Sequence, residues 1–144
     1  MEGVKVYTGN AISDTRGTIS FVNAFTFPGV KRFYQIESAN TKIIRAFHGH
    51  MKEAKYAYVI AGSILLCAIS LDKPKDPSQD APVQKFILTA KNPQIVYIPP
   101  KYANGFRALE KKSQVIFFST KTLEESVEDD YRYPYDYWGK DVWK

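Results

Sequence analysis

The sequence predicts an all-β fold, a sandwich or barrel built as a single domain. Three observations carry this prediction. Aromatic residues reach 15%, with ten Tyr and nine Phe, while helix-type runs of Ala, Glu and Lys are missing. Apolar runs of strand length are punctuated at short intervals by Gly, Pro, Asn and Asp. No segment shows the i, i+3, i+4, i+7 spacing of a long amphipathic helix. Many short strands at even spacing specify a sandwich or barrel rather than βαβ units. The 144 residues amount to one domain, residues 1–144, and 44% apolar content suffices for a core.

Strands are predicted over residues 4–8, 17–23, 31–36, 42–48 and 56–60, then over 63–71, 84–89, 94–98, 105–108 and 114–119. The stretch 72–83, DKPKDPSQDAPV, holds three prolines and five charges and reads as a surface loop. Asn104-Gly105 stands between two strand patterns, which favours a type I′ hairpin turn. Thr122-Leu-Glu-Glu125 has the form of a capping box, so a short helical turn starts there. The tail 128–144 mixes acids with tyrosines and two tryptophans. Those rings are costly to leave in water, so the tail packs on the body or on a second subunit.

Composition excludes several function classes. No apolar stretch reaches the length of a membrane-spanning helix, and MEGVKVYTGN lacks the apolar core of a secretory signal. A single cysteine, Cys67, excludes an internal disulfide and fits a reducing cytoplasm. One Cys and two His exclude a zinc finger or ribbon. Net charge is +5, which favours anionic partners, but the basic residues are scattered and form no nucleic-acid-binding tail.

The chemistry-bearing stretch is Arg45-Ala-Phe-His48-Gly-His50. Strict alternation places Ile44, Ala46, His48 and His50 on one strand face. Both histidines of the chain are therefore neighbours, and imidazole suits proton transfer near neutral pH. Two half-exposed histidines at a strand end are the bland alternative. A metal held by His48 and His50 needs a third ligand, which the sequence places only at a distance. Lys55 heads the strand before Gly62. It either faces inward toward an anion or snorkels outward, and position alone leaves the two readings even. Cys67 sits inside the apolar run Ile64-Leu-Leu-Cys-Ala-Ile69 and reads as core.

These residues resemble a family. Asp14-Thr-Arg16-Gly17 is similar to the D-x-R-G opening of the dTDP-4-dehydrorhamnose 3,5-epimerases. Gln35 with Glu37-Ser38, then Arg45-Ala-Phe-His48, resembles that family's Q-x-N-x-S and R-G-L-H segments. Lys55 seven residues before Gly62 matches K-x-V-x-x-x-x-G. Ile98-Pro-Pro-Lys-Tyr-Ala-Asn-Gly-Phe106 is similar to I-P-x-G-F-A-H-G-F. Asp136 and Trp138 resemble the late N-D and W-P region. Val30-Lys-Arg-Phe-Tyr34-Gln-Ile and Phe47-His-Gly-His50 also resemble segments of the dTDP-sugar 3,4-ketoisomerases, K-R-x-Y-x-I and F-H-A-H. Both resemblances imply a small cupin (jelly-roll) β-barrel and a homodimer with exchanged N-terminal strands.

The resemblance further implies a reaction without metal or other cofactor. A base removes the proton at C3 of a 4-keto-6-deoxy sugar carried on a nucleoside diphosphate. His48 would be that base and Lys55 the cation near the enolate. Arg45 would bind the diphosphate or sugar oxygens, and Arg16 the nucleotide across the dimer. Gln35, His50, Asn104 and Phe118 join the implied substrate contacts. Phe118 and Glu124 stand where the epimerases carry tyrosines, one of which is the acid on the opposite sugar face. Asn104 replaces a family histidine. Double epimerisation therefore lacks its acid, whereas same-face transfer from C3 to C4 needs only His48 with His50 or Tyr34. Two other readings compete: a non-catalytic cupin that binds a sugar or nucleotide, and a cupin metalloenzyme using both histidines.

Overall fold

In the computed structural model, which describes residues 2–144, the chain lays down twelve strands. Met1, the first position of the predicted domain range, lies outside the described residues. The first half runs β1 (Lys5–Thr8), β2 (Asn10–Asp14), β3 (Gly17–Phe21), β4 (Arg32–Glu37), β5 (Ile44–His50) and β6 (Lys55–Ala61). The second runs β7 (Ser63–Ser70), β8 (Val83–Thr89), β9 (Gln94–Ile98), β10 (Tyr102–Ala108) and β11 (Gln114–Ser119). Helix α1 (Leu123–Val127), β12 (Tyr131–Arg132) and a 3-10 turn (Lys140–Trp143) complete the chain.

The strands form two five-stranded antiparallel sheets, ordered β1-β9-β6-β11-β4 and β12-β5-β10-β7-β8, with β2 and β3 as a separate hairpin. The period-2 pattern builds three apolar layers. Between the sheets lie Ala57, Val59, Leu66, Ala68, Phe106 and Phe117. Alternate residues of the first sheet, Tyr56, Ile95 and Tyr97, point outward and are covered by Phe25. Alternate residues of the second, Leu65, Cys67, Ile69 and Ala103, are covered by the tail through Tyr133, Trp138, Val142 and Trp143. Phe47 joins this layer, edge-on to Trp138 at 5.0 Å and tilted against Trp143 at 5.3 Å. No helix among the described residues is long and apolar enough to cross a membrane.

Local signals act where the sequence places them at Thr122. Its hydroxyl accepts from Glu125 N–H, and the Glu125 carboxylate accepts from Thr122 N–H, closing a capping box at the start of α1. The Asn104-Gly105 turn does not form. Both residues lie inside β10, paired with Ala68 and Cys67 of β7. Gly105 is needed for space: a Cβ there would stand 2.9 Å from Ala46 Cα and 2.9 Å from the Arg45 carbonyl oxygen. That close approach belongs to a bulge, in which β5 carries one residue more than β10 between the pairs Arg45–Phe106 and His48–Asn104. The bulge also corrects the strict alternation of β5. Ile44 and Phe47 pack toward the tail layer, while Arg45 turns to the inner face with His48 and His50.

Candidate active site

Between the sheets opens a cavity of about 510 Å³. The first sheet lines it with Tyr34, Lys55 and Phe117, and the second with Arg45, His48 and Asn104. Tyr133 and Arg132 of the tail border it as well. Five sequence-predicted site residues therefore meet here: Tyr34, Arg45, His48, Lys55 and Asn104.

His48 is directly opposite Asn104 on β10 and Arg132 on β12. Its Nδ1 lies 4.0 Å from Asp130 Oδ1. That is too long for a hydrogen bond, yet close enough for the carboxylate to stabilise an imidazolium. Burial lowers the His48 pKa from its ordinary value, and the positive charges of Lys55 and Arg132 lower it further against the pull of Asp130. This lowering favours the neutral imidazole, the form that accepts a proton.

Lys55 settles on the inward reading. Alternation with Ala57 and Val59 turns it to the inner face, where it is 8% exposed. Its Nζ forms no ion pair with any described residue and lies 5.5 Å from the Tyr34 ring centre and 5.7 Å from that of Phe117. A buried ammonium over two aromatic rings, with no carboxylate partner among the described residues, suits an anionic group in the cavity. Asn104 is 4% exposed and its Nδ2 makes no hydrogen bond to a described residue. An unpaired buried donor costs about 1–3 kcal/mol, and a substrate oxygen would relieve that cost.

His50 takes a different position. It borders a smaller hollow of about 230 Å³ that also touches His48, Lys55 and Arg132. Its Nδ1 bonds the Asp129 carbonyl at 2.7 Å. A carbonyl only accepts, so Nδ1 carries the proton and Nε2, unpartnered and buried, keeps its lone pair. Burial and Lys55 lower the His50 pKa against the pull of Glu53, whose Oε1 lies 3.7 Å from Nδ1. Beneath it Glu53 is 2% exposed and accepts from Ser119 Oγ at 2.8 Å and Ser126 Oγ at 2.6 Å. The Asp129 carboxylate accepts from the N–H groups of Met51, Lys52 and Glu53 at 2.8, 2.8 and 2.9 Å. These bonds tie the β5–β6 connection to the segment that carries Asp130 and Arg132.

Three predicted contacts lie elsewhere. Gln35 and Phe118 alternate with Tyr34 and Phe117 and so point from the opposite face of the first sheet, away from the cavity. Gln35 Nε2 donates to Gln114 Oε1 at 2.6 Å, and Phe118 packs on Phe25 and Phe27. Arg16 sits on the β2–β3 hairpin, 85% exposed, with its guanidinium on Asp14 at 2.7 Å. Among the described residues no three of His, Cys, Asp and Glu converge as metal ligands do. Cys67 is buried and its thiol is pushed up to about 11 by that burial, so it is not a nucleophile. Sequence reasoning missed Glu53, Asp129, Asp130 and Arg132. The only local signal was the Asp129-Asp130 pair beside tail aromatics.

Known proteins similar to this chain identify its family. The family model for dTDP-4-dehydrorhamnose 3,5-epimerase matches residues 1–135. A Bacillus subtilis (strain 168) protein named spore coat polysaccharide biosynthesis protein SpsL is 25% identical over 139 residues, covering 94% of this chain and 91% of that one. The crystal structure of dTDP-4-dehydrorhamnose 3,5-epimerase from Sulfolobus tokodaii superposes with a TM-score of 0.76 at 26% identity, covering 93% of this chain and 78% of that one. The QdtA 3,4-ketoisomerase from Thermoanaerobacterium thermosaccharolyticum, solved as a double mutant in complex with TDP, shares the fold with a TM-score of 0.71 at 19% identity, over 99% and 95% of the two chains. The two antiparallel sheets are thus the cupin fold of these isomerases, and the chain belongs to the dTDP-4-dehydrorhamnose 3,5-epimerase family of dTDP-sugar isomerases.

Proposed function

We propose that the chain enolises a dTDP-4-keto-6-deoxyhexose with His48 as base, acting as a sugar-nucleotide epimerase or ketoisomerase. The observation that carries this reading is an imidazole lining the same cavity as a buried lysine that pairs with no described carboxylate. His48 takes the C3 proton. The C3–H electron pair becomes the C3=C4 double bond, and the carbonyl pair moves onto the C4 oxygen. Lys55 stabilises that oxygen in a partly dry site, where a fixed charge acts strongly. Asn104 offers a second donor, and Asp130 steadies the imidazolium. Arg45 takes the diphosphate or sugar oxygens through its planar fork.

The second proton transfer decides the product. Delivery to C3 from the opposite face inverts that carbon, and Tyr34 is the hydroxyl on the facing sheet. Delivery to C4, with loss of the C3 hydroxyl proton, moves the ketone to C3. His48 and His50 share one strand face for that path. Phe118 and Glu124 at the two tyrosine positions argue against double epimerisation. Gln35, Phe118 and Arg16 meet substrate only across a homodimer, in which one subunit's β2–β3 hairpin reaches the other. We place this single-domain protein in the cytoplasm, without cofactor or nucleic-acid partner, supplying a deoxysugar for a surface polysaccharide. The named role of the Bacillus subtilis relative supports that last step.

The test is NMR of a panel of dTDP-4-keto-6-deoxyhexoses in D2O with the protein. Deuterium at C3 alone, at C3 and C5, or a moved ketone each names one reaction within the proposal. Tight dTDP binding with no exchange on any sugar contradicts it and selects a binding protein.

A further inference from the structure

We propose that Arg132 is shared between substrate and base: its terminal amino groups bind the diphosphate at the cavity, while its Nε holds the Asp130 carboxylate that steadies His48. This rests on the reading that the cavity takes a nucleoside-diphosphate sugar. β12 is two residues long and pairs only with β5, placing Arg132 directly opposite His48. Arg132 Nε donates to Asp130 Oδ2 at 3.2 Å, and the other oxygen of that carboxylate is the one 4.0 Å from His48 Nδ1. The carboxylate is therefore stretched between guanidinium and imidazole.

The rest of the guanidinium is available. Arg132 is 71% exposed at its side chain, and its two amino groups bond no described residue. Nε faces the carboxylate, which leaves the pair of amino groups as a second planar edge suited to phosphate oxygens. Arg132 borders both the main cavity and the smaller hollow under His50. The main cavity is lined by Arg45, Lys55 and Arg132 and by no described carboxylate. Such a field draws an anion to the mouth.

Sharing one residue couples binding to chemistry. The charged and titratable groups facing His48 are Lys55 from β6, Asp130 and Arg132 from the tail, and His50 from its own strand; Asn104 from β10 does not titrate. A bound diphosphate offsets the charge of Arg132, so the imidazole becomes a stronger base when substrate is in place.

The experiment compares the native protein with Arg132→Gln and Arg132→Lys. Calorimetry measures dTDP and thymidine binding, and NMR measures C3 exchange in D2O across pH. Arg132→Gln is expected to weaken dTDP binding by about 10-fold or more, the worth of a charge-assisted hydrogen bond, and to leave thymidine binding unchanged. Its acid limb of exchange should move to higher pH, because losing the cation and freeing Asp130 both favour the imidazolium. Arg132→Lys keeps the charge and should recover most of the dTDP affinity. If Arg132→Gln fails to fold by circular dichroism, Arg132→Lys carries the test through the same limb, which still moves up as the Nε bond is lost. Native dTDP affinity and an unmoved limb in a folded variant overturn the inference while leaving the base assignment intact. A native protein that neither binds dTDP nor exchanges C3 overturns the underlying reading, and this inference with it.

Discussion

Gly105→Ala tests whether the β5 bulge aligns Arg45 with His48. The added Cβ would collide with Ala46 Cβ and stand 2.9 Å from two backbone atoms of β5, against an ordinary limit of 3.4 Å, so the strand must retreat by more than about 0.5 Å. None of the three contacts is a flexible side-chain end, since Ala46 Cβ is fixed to its Cα, so relief has to come from the backbone that carries Arg45 and Ala46. Overpacking of this kind costs about 1–3 kcal/mol, which for a domain of this size lowers Tm by roughly 3–10 °C. A shift of that size beside the reacting atoms should also lower kcat/KM by roughly 10-fold or more. Thermal melting followed by circular dichroism reads the first effect and C3 exchange the second. Gly3→Ala, with nothing within 4 Å of its Cβ, is the matched control and should change neither. A Gly105→Ala protein with native Tm and native exchange would refute the argument that close strand approach holds the site.

Three further outcomes follow from the same geometry. His48 and His50 are both held neutral by burial and by Lys55, so the unfolded chain takes up protons first as pH falls. Their contribution to stability is complete above the ordinary imidazole pKa of 6.5 and is lost as pH falls toward their lowered values. Urea unfolding at a series of pH values should show this slope, and His50→Gln should flatten it. Glu53→Ala leaves the Ser126 hydroxyl without its acceptor and Ser119 with only the Lys121 carbonyl at 3.2 Å, and should destabilise by about 3 kcal/mol in urea, with Glu53→Gln milder. Trp143→Ala removes a ring packed on Phe47 and should cost about 3–5 kcal/mol by the same assay.

The strands were legible because alternation is a local property: β7, β9 and β11 lie within a residue of their predicted spans. The site's inward residues Tyr34 and Lys55 follow from the same parity once one face is known. Asn-Gly misled because its turn preference is real, whereas the need for Gly105 arises from a strand distant in sequence. The bulge hid Arg45's direction for the same reason, since one extra residue inverts the alternation around it. Glu53 carries no local signal because its hydrogen-bond partners, Ser119 and Ser126, lie 66 and 73 residues away. β12 is too short to carry any periodicity, so Asp130 and Arg132 became visible only when the tail was seen against β5.

Everything functional depends on the imidazole at position 48 abstracting a proton. Incubating the native protein and His48→Ala with a dTDP-4-keto-6-deoxyhexose in D2O, side by side, tests this most directly. Deuterium should enter C3 with the native protein and stay at the uncatalysed level with the variant, while both bind dTDP. Equal incorporation by the two proteins would contradict the assignment of His48 as the base.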